Sequence, residues 1–188
     1  FDRVKLGPGT QYLDAGCGAG MAAQIASERG AQVSGLDASE SLLRIARRRV
    51  PEGDFRQGEL EMLPFEDNSF DLVTGFNSFQ YAANPGAALA EAKRVVRPGS
   101  LVVVMTWWSP EGMEAASLVA ELRPLLPAPP PGAPGPFALS EEVALRGFAT
   151  AAGLEPMGVV DVDCPWMYPD LATAMRGLGS SGVAARPA

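Results

Sequence analysis

Histidine is absent from this 188-residue chain, and cysteine occurs only twice, as Cys17 and Cys164. Without an imidazole there is no base for a Ser-His-Asp type of triad. Without a C-x-x-C pair there is no ligand set for zinc, so no metal site is expected. Two isolated cysteines make no disulfide framework, which points to a reducing cytoplasm. Basic residues are also scarce, 15 Lys and Arg against 22 Asp and Glu, for a formal charge of −7. Nucleic acid and anionic membranes favour a basic partner surface, so neither is expected as a partner. The one basic cluster, Arg44, Arg47, Arg48 and Arg49, falls where a helix C-terminus would use it to complement the dipole. No apolar run approaches the roughly 20 residues that a membrane-spanning helix needs.

What is present is the composition of a globular α/β domain, 47% apolar and 20% charged. A single domain over 1–188 is expected. Gln11 to Ala15 reads as a strand running into a glycine-rich turn. A helix follows from Met21 to Arg29, then a second strand from Val33 to Asp37, then a helix capped by Ser39 with Leu42, Leu43, Ile45 and Ala46 on its apolar face. Phe55 starts a brief third strand, and Phe70 to Phe76 is a fourth. Pro85 opens a helix through Val96 that Pro98-Gly99 stops, and Leu101 to Thr106 is apolar throughout, as in a strand buried on both faces. Strands alternating with helices imply a doubly wound, mainly parallel sheet. Beyond it, Glu111 to Leu122 is expected to be helical. Pro124 to Pro136 holds seven prolines in 13 residues and is expected to form an irregular surface loop. Ser140 to Ala152 reads as a helix, Met157 to Val162 as a sixth strand, and Pro169 to Leu178 as a short helix.

The chemistry is concentrated in Asp14-Ala15-Gly16-Cys17-Gly18-Ala19-Gly20 and in Asp37. Glycines at a strand-to-helix turn admit a ligand close to the backbone, and the helix N-terminus behind them favours a carboxylate or phosphate. A carboxylate at the end of the second strand can accept from both hydroxyls of a ribose, and it repels a 2′-phosphate. The stretches Y-L-D-A-G-C-G-A-G, G-L-D-A-S, G-E-L-E-M-L-P-F-E-D-N-S-F-D-L-V and L-A-E-A-K-R-V-V-R-P-G together resemble the class I S-adenosylmethionine (SAM)-dependent methyltransferases. The resemblance is closest to the small-molecule, ubiquinone/menaquinone-type branch and covers residues 8–106.

The resemblance implies a Rossmann-like methyltransferase fold with SAM as cofactor and a small-molecule methyl acceptor. Gly16, Cys17 and Gly18 would line the methionine part of SAM, with Asp14 close to its amino group. Asp37 and its neighbour Ala38 would hold the ribose side. Glu59 stands where the family usually has Asp, at the adenine amino group, and Leu60 would offer its backbone N–H to the ring. Phe76 and Asn77 would border the transferred methyl. The family also has a seventh, antiparallel strand and a helix covering the cofactor. Neither has a place in these residues, so the helix is expected ahead of Phe1 in a longer protein, and the strand beyond Ala188 or replaced by another chain covering the edge.

Methyl transfer from a sulfonium is an in-line displacement in which holding the nucleophile near the methyl supplies most of the catalysis. With no histidine, the acceptor either ionises easily or meets a base such as Tyr81, Glu or Asp. Tyr81 is the candidate catalytic and acceptor-contacting residue, with packing as its alternative role. Trp107 and Trp108 follow the fifth strand and, with Trp166 and Tyr168, could wall a flat or apolar acceptor, or belong to the core. An NAD-dependent oxidoreductase would share the glycine turn and strand-two acid. It would not explain Asp14, Glu59 or Leu63-Pro64-Phe65, and no Tyr-x-x-x-Lys is available. A non-catalytic SAM-binding or assembly module is left open by Asn77-Ser78-Phe79-Gln80.

Overall fold

The computed structural model describes residues 1–113, 116–122, 135 and 137–179. The proline-rich stretch 124–136, apart from Gly135, lies outside the described residues. The described residues fall into two compact units, Phe1–Trp107 with 135 and 137–156, and 108–113 and 116–122 with 157–179.

The first unit is built on five strands, β1 Gln11–Ala15, β2 Gln32–Asp37, β3 Asp54–Gln57, β4 Phe70–Phe76 and β5 Val96–Met105. They lie in the order β3-β2-β1-β4-β5, and every pair is parallel. The helices α1 Met21–Glu28, α2 Glu40–Arg49 and α3 Pro85–Val95 connect them, and α5 Glu142–Ala151 follows later in the chain. The expected doubly wound parallel sheet is formed. Strand periodicity decides which side chains meet which layer. Leu13, Ala15 and Val73 face α3 residues Leu89, Ala92 and Val95 in one core. Tyr12 and Leu72 face Ala23, Ala26, Leu43 and Ala46 of α1 and α2 in the other. Ser39 caps α2 as expected, accepting from the Leu42 N–H, and Asn84 does the same for α3 at Ala87.

β5 begins earlier than the apolar run suggests. The chain leaves α3 at Val95 and pairs Val96 with Phe70. It then bulges through Arg97-Pro98-Gly99, with Gly99 at φ +80°, before Leu101 resumes the ladder opposite Leu72. Pro98-Gly99 thus marks an irregularity inside a strand, not the end of the helix.

The second unit contains the short helix α4 Ala116–Leu122 and α6 Leu171–Gly179. The helix expected from Glu111 starts later, because Pro110–Gly112 forms a separate 3-10 turn. The sixth strand expected over Met157–Val162 is not formed. Those residues join no ladder, and Met157, Val160 and Val162 are 83%, 53% and 65% exposed. Alternating apolar residues make a strand only when a neighbour completes the backbone hydrogen bonds, and no described residue supplies one here. A seventh strand is likewise absent among the described residues. No helix among them is long and apolar enough to cross a membrane.

Candidate functional site

Reversal of strand order between β1 and β4 leaves a crevice at the carboxyl ends of the parallel strands, the place where ligands enter sheets of this kind. The turn after β1 forms its floor. The N–H groups of Gly16 and Cys17 both donate to the Leu36 carbonyl at the end of β2, at 2.8 and 2.9 Å. Gly16 has φ +80°, and a β-carbon there would stand 2.3 Å from Cβ of Ser78. Glycine is therefore demanded by the close approach of the turns after β1 and β4, which Ser78 seals by donating to the Ala15 carbonyl at 2.6 Å. At Gly18, also at positive φ, a β-carbon would meet nothing within 4 Å.

Asp37 ties together the turns that follow β1 and β2. One carboxylate oxygen accepts from the Gly18 N–H and the other from the Ser39 N–H, both at 2.8 Å. Each oxygen keeps a second lone pair for a ligand hydroxyl. Asp14 lies beneath the turn and is 2% exposed. Thr74 Oγ1 sits 3.4 Å from its carboxylate and pairs with the buried Tyr12 hydroxyl at 2.6 Å. Burial pushes the Asp14 carboxyl up to about 7, against the hydrogen bonds from Thr74 and the Ala23 backbone, with the charge of Asp37 adding to the rise. Burial likewise raises the Cys17 thiol, helped by the charges of Asp14 and Asp37.

The cleft itself encloses about 230 Å³. It is walled by Asp37 and Ala38 on one side, by Glu59, Leu60 and Glu61 on another, and by Asn77 and Tyr81 after β4. The structure thus brings together Gly16, Asp37, Ala38, Glu59, Leu60, Asn77 and Tyr81 from the sequence-derived set. Asp14 and Cys17 are buried next to the cleft, Cys17 with its side chain in the α1–α2 core, and Gly18 touches it only through Asp37. Phe76 does not reach the cleft lining; its ring packs edge-on against Phe1 at 5.6 Å.

Asn77 takes a left-handed conformation, φ 52°, which asparagine tolerates better than most residues. Gln80 holds its side chain by donating to Oδ1 at 3.1 Å. Tyr81 is 59% exposed, and its hydroxyl accepts from Nε1 of Trp107 at 3.2 Å, so these two aromatic candidates meet. Trp108, Trp166 and Tyr168 belong to the second unit, where they are 55%, 45% and 40% exposed. Gly58, Glu61, Ser78 and Ala82 also line the cleft. The first two flank the Glu59-Leu60 pair and were findable by adjacency; Ser78 and Ala82 carry no local signal.

The ionisable lining is three carboxylates and a phenol, with no Lys or Arg. Such a wall suits a ligand rich in donors or carrying positive charge and opposes a pyrophosphate. No group of three His, Cys, Asp or Glu among the described residues is arranged to hold a metal ion.

Comparison with known proteins matches residues 13–104 to the methyltransferase-domain family. The chain is 38% identical over 109 residues to a demethylmenaquinone methyltransferase of Renibacterium salmoninarum, covering 58% of this chain and 46% of the relative. It is 31% identical over 176 residues to a malonyl-[acyl-carrier protein] O-methyltransferase of Erwinia billingiae, covering 93% and 65%. It therefore spans less than two thirds of the length of these relatives. Among solved structures, a SAM-dependent methyltransferase from Aquifex aeolicus shares the fold, with a TM-score of 0.62 at 22% identity over 81% of this chain and 76% of that one.

Proposed function

From the match of residues 13–104 to the methyltransferase-domain family, we propose that this chain is the catalytic core of a class I SAM-dependent methyltransferase acting on a small molecule. The observation that carries the reading is the cleft at the strand-order reversal, where Asp37, Glu59 and Glu61 converge around the Gly16 turn with no cation among them. The residues fit the group. Asp37 has free lone pairs for two ribose hydroxyls, Glu59 accepts from the adenine amino group, and Leu60 offers a backbone N–H. Asp14 lies under the turn as the counter-charge for an ammonium. Net acidity suits a sulfonium and disfavours the pyrophosphate of NAD.

When bound, SAM supplies an electrophilic methyl group on a positively charged sulfur. The chain's own part is to hold the acceptor in line and to exclude water, which can contribute roughly 7–11 kcal/mol. Tyr81 is placed for the acceptor. Its oxygen already accepts from Trp107, so its own proton is free to be donated to an acceptor oxygen and to orient it. No imidazole exists in the chain to remove a proton, which favours acceptors that arrive ionised, such as acidic phenols or carboxylates. The names of two relatives give a demethylmenaquinone and an acyl-carrier-bound malonyl group as acceptors, the second of them a carboxylate. We take 1–188 as one SAM-binding domain of a cytoplasmic enzyme.

Incubation with methyl-labelled SAM and a panel of hydroquinones, phenols and malonyl thioesters tests the activity. Label transfer that Tyr81→Phe reduces without weakening cofactor binding supports the reading. Binding of SAM with no transfer to any class would leave a non-catalytic module of the same fold.

A further inference from the structure

Glu59, Leu60 and Glu61 reach the cleft on a segment, residues 58–69, that contains neither helix nor strand. Irregular backbone is held in place only by what it bonds to, and most of those bonds come from one face of α3. Arg94 uses all five of its guanidinium N–H groups here, three on the segment itself and two on Glu91 of its own helix. Nη2 donates to the Leu63 carbonyl at 2.9 Å and Nη1 to the Phe65 carbonyl at 2.8 Å. Nη1 also donates to Asp67 at 2.7 Å, while Nε and Nη2 grip both oxygens of Glu91 at 2.7 Å each. Glu91 closes the ring by accepting from the Leu63 N–H at 2.9 Å. Leu63 is 4% exposed, so the clamp is set against the core.

On its other side the segment is tied to the cleft. The Gly58 N–H donates to the Asp37 carbonyl at 3.2 Å, and Glu61 accepts from the Asn84 N–H at 2.7 Å. Glu59 thus lies between two fixed points, the end of β2 and the Glu91–Arg94 clamp. Neither Glu91 nor Arg94 lines the cleft. A planar, five-donor fork meeting two carbonyls and two carboxylates is something a lysine cannot reproduce.

We propose that Glu91 and Arg94 are positioning residues that set the cleft's selectivity for the 6-amino group of the adenine ring, by holding the Glu59–Glu61 stretch against it. The proposal rests on the SAM-binding reading above and adds to it residues remote from the ligand. A clamp that only stabilised the fold would weaken all ligands alike. A clamp that positions Glu59 acts on the base edge and leaves the ribose contact of Asp37 in place.

Calorimetry with S-adenosylhomocysteine (SAH) and with S-inosylhomocysteine, in which a carbonyl replaces the 6-amino group, separates the two. Wild type should prefer SAH by about 10- to 100-fold, the range of one charge-assisted hydrogen bond. In Arg94→Met, assayed well below its melting temperature, the preference should fall to within about threefold, the residue of a contact no longer held in register. Glu91→Gln keeps an acceptor for Leu63 but loses the ion pair, and it should give an intermediate preference; it decides the matter if Arg94→Met does not fold. An unchanged ratio in a folded variant, with both affinities lowered equally, overturns the proposal. So does a wild type that binds both ligands alike. No binding of SAH by wild type would instead refute the SAM reading itself.

Discussion

Asp14→Asn is expected to make the protein more stable at neutral and alkaline pH while weakening its hold on the cofactor. The carboxyl is buried under the Gly16 turn and held at about 7 instead of its ordinary 3.8. The fold therefore binds this proton more tightly than the unfolded chain does. Linkage fixes the sign: the associated stability is fully present below about 3.8, is lost as pH rises to about 7, and stays lost above it. A difference of that size corresponds to at most about 4 kcal/mol, and about 2–3 kcal/mol of it should disappear between pH 5 and pH 8. Asparagine keeps the shape and the contact with Thr74 but cannot ionise. Urea unfolding of both proteins at intervals from pH 5 to pH 8 should show wild type losing stability relative to Asp14→Asn by roughly that amount. SAH affinity of the variant should fall about tenfold, since a buried carboxylate would no longer face the ammonium. Parallel stability curves across this pH range would show that Asp14 carries no excess proton and refute the argument from burial.

The same group predicts the pH dependence of binding in wild type. SAH affinity should be highest above about pH 7 and decline below it, levelling off about tenfold lower, because protonated Asp14 no longer offers a charge to the ammonium; a flat profile from pH 5.5 to 8 would contradict this. Gly16→Ala should lower the melting temperature and abolish binding. Its β-carbon would lie 2.3 Å from Cβ of Ser78 at a backbone φ of +80°, which together cost about 2–5 kcal/mol; thermal unfolding at wild-type temperature would disprove it.

Much of this site was legible because it is local. Asp37 ends a strand and Asp14 precedes a glycine turn, and short-range chemistry announces both. β4 was readable over Phe70–Phe76 because it is apolar enough to be buried on both faces. The unread parts depend on distant partners. Residues 157–162 look like a strand by composition, yet pairing decides the matter. Pro98-Gly99 looks like a helix stop, and only the register between β4 and β5 reveals it as a bulge. Phe76 and Asn77 are neighbours in sequence, and the alternation of β4 sends one toward Phe1 and the other to the cleft. Arg94 and Glu91 carry no local signal; their partners on the 58–69 segment lie 27–31 residues away, where no periodicity can point.

The central claim, that a nucleoside with a methionine-like tail binds where β1, β2 and β4 end, is tested most directly by titrating SAH into wild type and Asp37→Ala in a calorimeter. One site is expected in wild type and a loss of about 1–3 kcal/mol in the variant, the worth of two charge-assisted hydrogen bonds to the ribose. No heat with wild type, or wild-type affinity in Asp37→Ala, would contradict it.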